Sequence, residues 1–227
     1  TLTFDANSGP GAQTSTNVAI TADAAVEGNE TLNLQLQNVI GCDGQVTVDA
    51  ANDEYALTIL DDDTAQVRFN PLAQTHAESG SQTVTAELVL AGGASVENAF
   101  TVDVVNLDTG TAEAVDHDFS APRTLTFAAN SANGATASTA VAITPDTFVE
   151  GNETLNLRLQ NVVGAPGVTV DPAQADYTLT IDDDDTAELR FNPLSQTHAE
   201  SGVQTVTVEL VLTGRYAPQA VLDRADL

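Results

Sequence analysis

The sequence predicts an all-β protein made of tandem Ig-like, seven-stranded antiparallel β-sandwiches. Short segments that alternate apolar and polar residues recur along the chain, clusters of Gly, Asn, Asp and Pro separate them, and no segment keeps helical periodicity beyond a turn. Thr, Val, Leu and Ala fill the 227 residues, while Met and Trp are absent. This composition suits strands better than helices, and the strand spacing is typical of an Ig-like sandwich.

The strands of the best-defined unit can be placed in order. Strand F is the clearest, because Leu155, Leu157 and Leu159 alternate with polar residues. The predicted segments are A at 65–69, B at 82–90, C at 99–107, D at 124–128, E at 138–144, F at 154–162 and G at 177–181.

An internal repeat indicates the domain organisation. Segment 1–41 recurs as 124–164 with 30 of 41 positions identical, and 58–80 recurs as 180–202. A period of 122 or 123 residues is that of a whole domain. Residue 1 lies in mid-pattern, so we expect a piece of something longer. We expect the C-terminal half of one unit, a complete unit, the opening strands of a third and a divergent tail, at 1–63, 64–185, 186–213 and 214–227.

The charge of the chain restricts its partners. There are 33 acidic residues and six arginines, with no lysine, and the formal net charge is -27. Nucleic acid and anionic membrane surfaces are poor partners for such a chain, whereas multivalent cations are good ones. Membrane insertion is not expected, since no apolar run approaches the roughly 18 residues that a spanning helix needs.

Alternating strand direction assigns the acidic loops to one end of the sandwich. The A–B, C–D and E–F loops and the end of strand G all fall at that end, and they carry Glu78, Asp116, Asp118, Asp146, Glu150, Glu153, Asp182, Asp183, Asp184 and Asp185. Carboxylates so concentrated repel one another unless they are protonated, splayed into water or bound to cations. Oxygen ligands from several loops, without His or Cys, favour Ca²⁺ over Zn²⁺ or copper.

Four motifs together resemble the Calx-beta domain: VEGNETLNLRLQN after ITPD, AVDHDF before RTLTF, HAESG, and IDDDD. The resemblance implies a seven-stranded Ig-like sandwich with Ca²⁺ clusters at the end next to the following domain. It also implies, as ligands in this sequence, Glu78, Asp118, Asp146, Glu150, Glu153, Asp183, Asp184 and Asp185, with the Phe148 carbonyl in addition. Asp182 is replaced by Leu60 in the first copy, and Asp116 enters on proximity only. The family usually has Gly or Ser where His117 stands.

The first unit retains part of the same ligand pattern. It lacks the A–B glutamate and the C–D aspartate, so we expect weaker binding there than in the complete unit. Its candidate ligands are Asp23, Glu27, Glu30, Asp61, Asp62 and Asp63.

Catalysis is not predicted. The three histidines, His76, His117 and His198, do not combine with Ser, Cys or Asp at a spacing that suits nucleophilic catalysis. Paired carboxylates could act as a glycosidase acid and base, but no aromatic platform for a sugar accompanies them. We expect no catalytic residues, and no cofactor other than Ca²⁺.

The function expected from these patterns is that of a calcium-binding repeat module in a secreted or cell-surface protein of bacterial origin, with a structural or adhesive role and no enzymatic one. Interdomain Ca²⁺ would stiffen the tandem sandwiches. Two alternatives stay open: a filament subunit completed by strand exchange between identical chains, and a module that binds a glycan or protein ligand.

Overall fold

The computed structural model describes residues 1–91, 95–212 and 215–216, and its regular secondary structure is almost all β-strand. A short 3-10 turn lies at Cys42–Gly44. The strands within these residues are, in chain order, β1 (Ala25–Val26), β2 (Glu30–Gln35), β3 (Glu54–Ile59), β4 (Thr64–Phe69), β5 (Ala73–Ala77), β6 (Gly80–Ala91), β7 (Ser95–Val96), β8 (Phe100–Asn106), β9 (Arg123–Phe127), β10 (Thr136–Ile143), β11 (Phe148–Val149), β12 (Glu153–Val163), β13 (Val168–Val170), β14 (Asp176–Asp182), β15 (Ala187–Phe191), β16 (Val208–Leu212) and β17 (Arg215–Tyr216).

The middle of the chain forms a β-sandwich of two sheets. One sheet has the order β10-β6-β4-β13 and the other β5-β14-β12-β8-β9. The predicted strands A to G correspond to β4, β6, β8, β9, β10, β12 and β14, so the predicted fold class is confirmed. Two edge strands were not predicted: β5 pairs in parallel with β14, and β13 pairs in parallel with β4.

The core lies between these sheets and follows from the two-residue period of the strands. Leu155, Leu157 and Leu159 of β12 are all buried, as their alternation predicts. The rings of Phe69 and Tyr177 pack across the core with centroids 5.5 Å apart. Burial of these apolar faces is the main source of stability for such a fold.

Parts of two further units flank this sandwich. In the first unit β2 pairs antiparallel with β3, and in the third β15 pairs antiparallel with β16. By their place in the repeat these are an F–G pair and an A–B pair. The predicted domain boundaries stay a prediction, and the tail 214–227 lies outside the described residues apart from β17. No helix in the described part of the chain is long and apolar enough to cross a bilayer.

Candidate metal sites

Parallel pairing brings two acidic segments out of the middle sandwich side by side. The register pairs Ala77 with Asp182 at the ends of β5 and β14, and the Glu78 amide donates a hydrogen bond to the Asp182 carbonyl (3.0 Å). Because the two strands run in the same direction, the residues that follow them leave the sheet at the same end. The acidic residue after β5 therefore lies next to the aspartate run that follows β14.

Three carboxylates from three segments converge at this end. One oxygen from each of Glu78, Asp146 and Asp185 lies within 4.8 Å of the others, and the Asp146 amide donates to Glu78 Oε1 (3.2 Å). Burial raises the pKa of Glu78. The Asp146 amide offsets part of this effect, while the negative charges of Asp146, Asp183 and Asp184 add to it.

Asp185 contributes an uncompensated oxygen to this cluster. Its Oδ2 is shielded from solvent and has no hydrogen-bond partner among the described residues. Burial raises the pKa of Asp185, and the charges of Asp183, Asp184 and Asp146 raise it further. A shielded carboxylate oxygen without a donor is costly, so the site fits a bound cation that would supply the missing positive charge.

Asp183 ties the interdomain linker to the E–F loop. Its Oδ2 accepts a hydrogen bond from the Glu150 amide (2.7 Å), and its Oδ1 accepts one from the Asp185 amide (3.0 Å). Beside it, Asn152 Nδ2 donates to Asp182 Oδ1 (2.6 Å). Sequence reasoning missed the positioning role of Asn152, although it lies inside the VEGNET motif.

A second carboxylate pair joins the C–D loop to the start of β12. Glu153 lies within hydrogen-bonding reach of Asp116, and this contact favours the protonated form of Glu153. Burial, this contact and the charges of Asp116 and Glu150 raise the pKa of Glu153 to about 7. Burial also raises the pKa of Glu150, as do the nearby charges of Asp146 and Asp116. Asp116, predicted on proximity alone, thus lies against a predicted ligand.

The C–D loop is held against β12 by close backbone contacts. A Cβ at Gly110 would clash with the Thr154 carbonyl oxygen, which itself accepts a hydrogen bond from the Ala112 amide (3.0 Å). The Thr154 amide donates to Thr111 Oγ1 (2.9 Å). Only glycine permits this approach at position 110, a constraint that the sequence does not reveal because the contact is distant along the chain.

Asp118 forms an ion pair with Arg123. Its Oδ1 lies 2.8 Å from Arg123 Nη2 and accepts a hydrogen bond from the Ala142 amide (2.9 Å). Burial alone would raise the pKa of Asp118, but the hydrogen bonds from Arg123 and Ala142 and the charge of Arg123 lower it overall. The neighbouring His117 is buried, with Nδ1 accepting from the Phe119 amide (3.1 Å). Asp118 is therefore bound to Arg123 and is not among the three carboxylates that converge.

The first unit repeats the linker geometry. Asp61 Oδ2 accepts hydrogen bonds from the Glu27 and Gly28 amides (3.0 and 3.1 Å), and its Oδ1 accepts one from the Asp63 amide (3.0 Å). These contacts match those of Asp183. Carboxylate oxygens of the three linker aspartates lie within 4.8 Å of one another, namely those of Asp61, Asp62 and Asp63.

Burial and neighbouring charges also raise carboxylate pKa values in the first unit, as they do in the middle unit. Burial raises the pKa of Glu27, followed by the charges of Glu30, Asp23 and Glu97. Burial and the charges of Asp62, Asp61 and Asp23 raise the pKa of Asp63. Hydrogen bonds from the Glu27, Asp63 and Gly28 amides lower the pKa of Asp61. Each of the six predicted residues of this unit therefore interacts with at least one other of the six.

The remaining predicted positions lie at the edges of the clusters. Phe148 opens β11, which pairs with β17, and its amide donates to Asp146 Oδ1 (2.7 Å). Asp23 Oδ1 accepts from the Ala25 amide in the same way (2.9 Å). Asp184 is exposed between its two neighbours. The candidate ligand atoms together suit a hard cation, because every side-chain ligand atom named is an oxygen.

A model of the Calx-beta domain family matches residues 1–63 and 61–185. The chain belongs to the Calx-beta family. Its matched regions follow one another, so the protein contains Calx-beta β-sandwich units in tandem. A comparison with curated proteins finds no match.

Solved structures similar to this chain include three of Calx domains. The apo-form Calx CBD1 domain is 20% identical, with a TM-score of 0.45, and the match covers 54% of this chain and 99% of that one. CBD12 from CALX1.2 is 23% identical (TM-score 0.43, covering 52% and 45%). The calcium binding domain CBD12 of CALX1.1 is 21% identical (TM-score 0.42, covering 52% and 46%). The chain spans less than half of each of these last two.

Proposed function

We propose that this Calx-beta chain is a calcium-binding structural module in which cations bound at the end of one sandwich join it to the next. The observation that carries the proposal is Asp185 Oδ2, a shielded carboxylate oxygen without a hydrogen-bond donor in the described residues. It lies in a cluster with Glu78 and Asp146. Positive charge at this point would satisfy the oxygen and remove the repulsion.

The ligand set that supports calcium comes from three loops and the interdomain linker. The proposed ligands in the middle unit are Glu78, Asp146, Asp183 and Asp185, supplemented by the Phe148 carbonyl and by Asp116, Glu150, Glu153, Asp182 and Asp184. Ca²⁺ takes about six to eight oxygen ligands in flexible geometry, whereas Mg²⁺ keeps several waters. A carboxylate-rich cluster on several loops therefore favours Ca²⁺.

The position of the linker explains what binding would do. Asp183 and Asp185 belong to the segment between β14 and β15, and Asp183 accepts a hydrogen bond from the E–F loop. A cation held by both would clamp the end of one unit to the start of the next. We propose that this converts a self-repelling string of sandwiches into a stiff stalk, suited to a secreted or cell-surface protein with a structural or adhesive role.

Thermal unfolding of the full chain tests calcium binding directly. We expect the unfolding midpoint to rise in millimolar Ca²⁺ relative to EDTA, because a ligand that binds only the folded state stabilises it. The same concentration of Mg²⁺ should give a much smaller rise. Extracellular and weaker sensor sites bind Ca²⁺ with a Kd of about 10⁻⁵ to 10⁻³ M. We expect the Kd measured by calorimetric titration to lie in that range. Equal shifts with Ca²⁺ and Mg²⁺ would contradict the proposal.

A further inference from the structure

The E–F loop of the first unit is inserted into the middle sandwich. Ala25 and Val26 pair in parallel with Ser95 and Val96 of the B–C region, and the Glu97 amide donates to the Val26 carbonyl (3.0 Å). Val26 is 0% exposed and belongs to the same buried cluster as the core of the middle sandwich. A residue of one unit thus completes the core of the next.

Two glycines make room for this insertion. A Cβ at Gly167 would lie 2.8 Å from Val26 Cγ1 and 3.3 Å from the Asp63 carbonyl oxygen. A Cβ at Gly28 would lie 3.2 Å from Pro166 Cβ and Cγ. Gly167 is itself fixed, because its carbonyl accepts a hydrogen bond from the Ala65 amide at the start of the middle sandwich (3.1 Å). Neither the inserted loop nor its receptor has space for a larger residue.

We infer that Ser95–Glu97 and the glycine turn at Gly167 form a docking surface for the Val-Glu-Gly loop of the preceding unit. Docking of Val26 makes the stability of the middle sandwich depend on its upstream neighbour. The segment Ala25–Gly28 recurs as Phe148–Gly151, and Phe148 and Val149 of β11 also form a parallel pair, with the two residues of β17.

Glu27 in the docked loop is a candidate cation ligand, but the contacts of Val26 with the middle sandwich need no cation, because they are apolar packing and backbone pairing. Docking therefore goes beyond the proposed function: the two units are coupled even when no cation is bound. The matching surface also selects its partner, since the inserted residue must be apolar and the turn opposite it must be glycine. A preceding unit with a charged residue in place of Val26 would leave that charge buried and unpaired.

The test compares Gly167→Ala with Gly134→Ala in the full chain in EDTA. Both glycines have positive φ (+81° and +82°), but nothing lies within 4 Å of a Cβ at Gly134. The two variants thus carry similar backbone strain and differ in the contacts of the new Cβ, of which the one with Val26 is the closest. The Glu97 amide, which donates to the Val26 carbonyl, should exchange about tenfold faster in Gly167→Ala than in Gly134→Ala, in line with the usual cost of overpacking. Equal exchange in the two variants would overturn the inference.

A second variant approaches the contact from the other side. Val26→Ala should lower the unfolding midpoint of the middle sandwich, followed through the buried Tyr177, because it leaves a cavity in that core. Val18→Ala, at a half-exposed valine of the same unit, should leave that midpoint unchanged. If Val26→Ala behaves like Val18→Ala, the two units do not share a core. Because EDTA is present throughout, these outcomes do not depend on calcium binding.

Discussion

Asp118 Oδ1 lies 2.8 Å from Arg123 Nη2, and the guanidinium of Arg123 lies over the ring of Phe119, 4.5 Å from its centroid. Arg123 also donates hydrogen bonds to the carbonyls of Asp118 and Ala140. The ion pair therefore fixes the end of the C–D loop against β10. It also neutralises a carboxylate that the family resemblance assigns to the metal, which separates Asp118 from the carboxylates that lack a partner.

This arrangement predicts unequal contributions to calcium affinity. Asp118→Asn should reduce the affinity less than Asp146→Asn, because Asp118 already has a cationic partner whereas Asp146 belongs to the uncompensated cluster with Glu78 and Asp185. Calorimetric titration of both variants with Ca²⁺ measures the difference. An affinity loss for Asp118→Asn as large as that for Asp146→Asn would show that Arg123 releases Asp118 when the cation binds.

Removing one charge from the cluster should have opposite effects with and without calcium. Asp185→Asn should raise the unfolding midpoint in EDTA, because it removes repulsion from Asp183, Asp184 and Asp146. It should also abolish most of the gain that Ca²⁺ gives the parent chain. Thermal unfolding in EDTA and in Ca²⁺ measures both effects.

The control for this charge change is Asp108→Asn. Asp108 is exposed and has positive φ (52°), a conformation that asparagine also accepts. Its replacement should alter neither midpoint. A fall in stability in EDTA for Asp185→Asn would show that the cluster is compensated in a way that the repulsion argument does not include.

The calcium-free chain should lose stability as pH rises from mildly acidic to neutral. The pKa of Glu153 is about 7 in the folded state, above its unfolded value, so the folded state retains a proton that the unfolded state has released. Stability must therefore fall between about pH 4.5 and pH 7. Raised pKa values at Glu78, Glu150 and Asp185 act in the same direction.

Unfolding midpoints measured across this pH range in EDTA check the sign. Glu153→Gln should make the pH dependence shallower, because its amide cannot release a proton. In saturating Ca²⁺ the dependence should reverse, since protons compete with the cation for the same carboxylates. Stability that rises with pH in EDTA would show that the carboxylates of the cluster are ionised and compensated in the apo protein.

The order of strands and their faces could be predicted because both depend on local periodicity. Alternation in β12 placed Leu155, Leu157 and Leu159 in the core, and alternating strand direction put the acidic loops at one end. The same reasoning could not find β5, since its pairing partner β14 lies about 100 residues away along the chain. Periodicity reports which face of a strand is buried and says little about its neighbour.

The details of the candidate site depended on contacts that no local pattern encodes. The pairing of Asp118 with Arg123 needs the path of the C–D loop across β10. The insertion of Val26 needs the relative position of two units. In each case the residue type was compatible with several roles, and packing between distant segments selected one of them.

Gly110 provides a test of how the C–D loop is positioned. Gly110→Ala should destabilise the middle sandwich by about 1–3 kcal/mol, the usual cost of overpacking, because the new Cβ would meet the Thr154 carbonyl oxygen. Displacing the loop should also weaken Ca²⁺ binding, because the loop places Asp116 next to Glu153. Denaturant unfolding and calcium titration of the full chain measure the two effects.

Gly151→Ala is the control for stability, because nothing lies within 4 Å of a Cβ there, and its unfolding free energy should match that of the parent. Equal stability of Gly110→Ala and the parent chain would mean that the C–D loop is not fixed by its approach to β12.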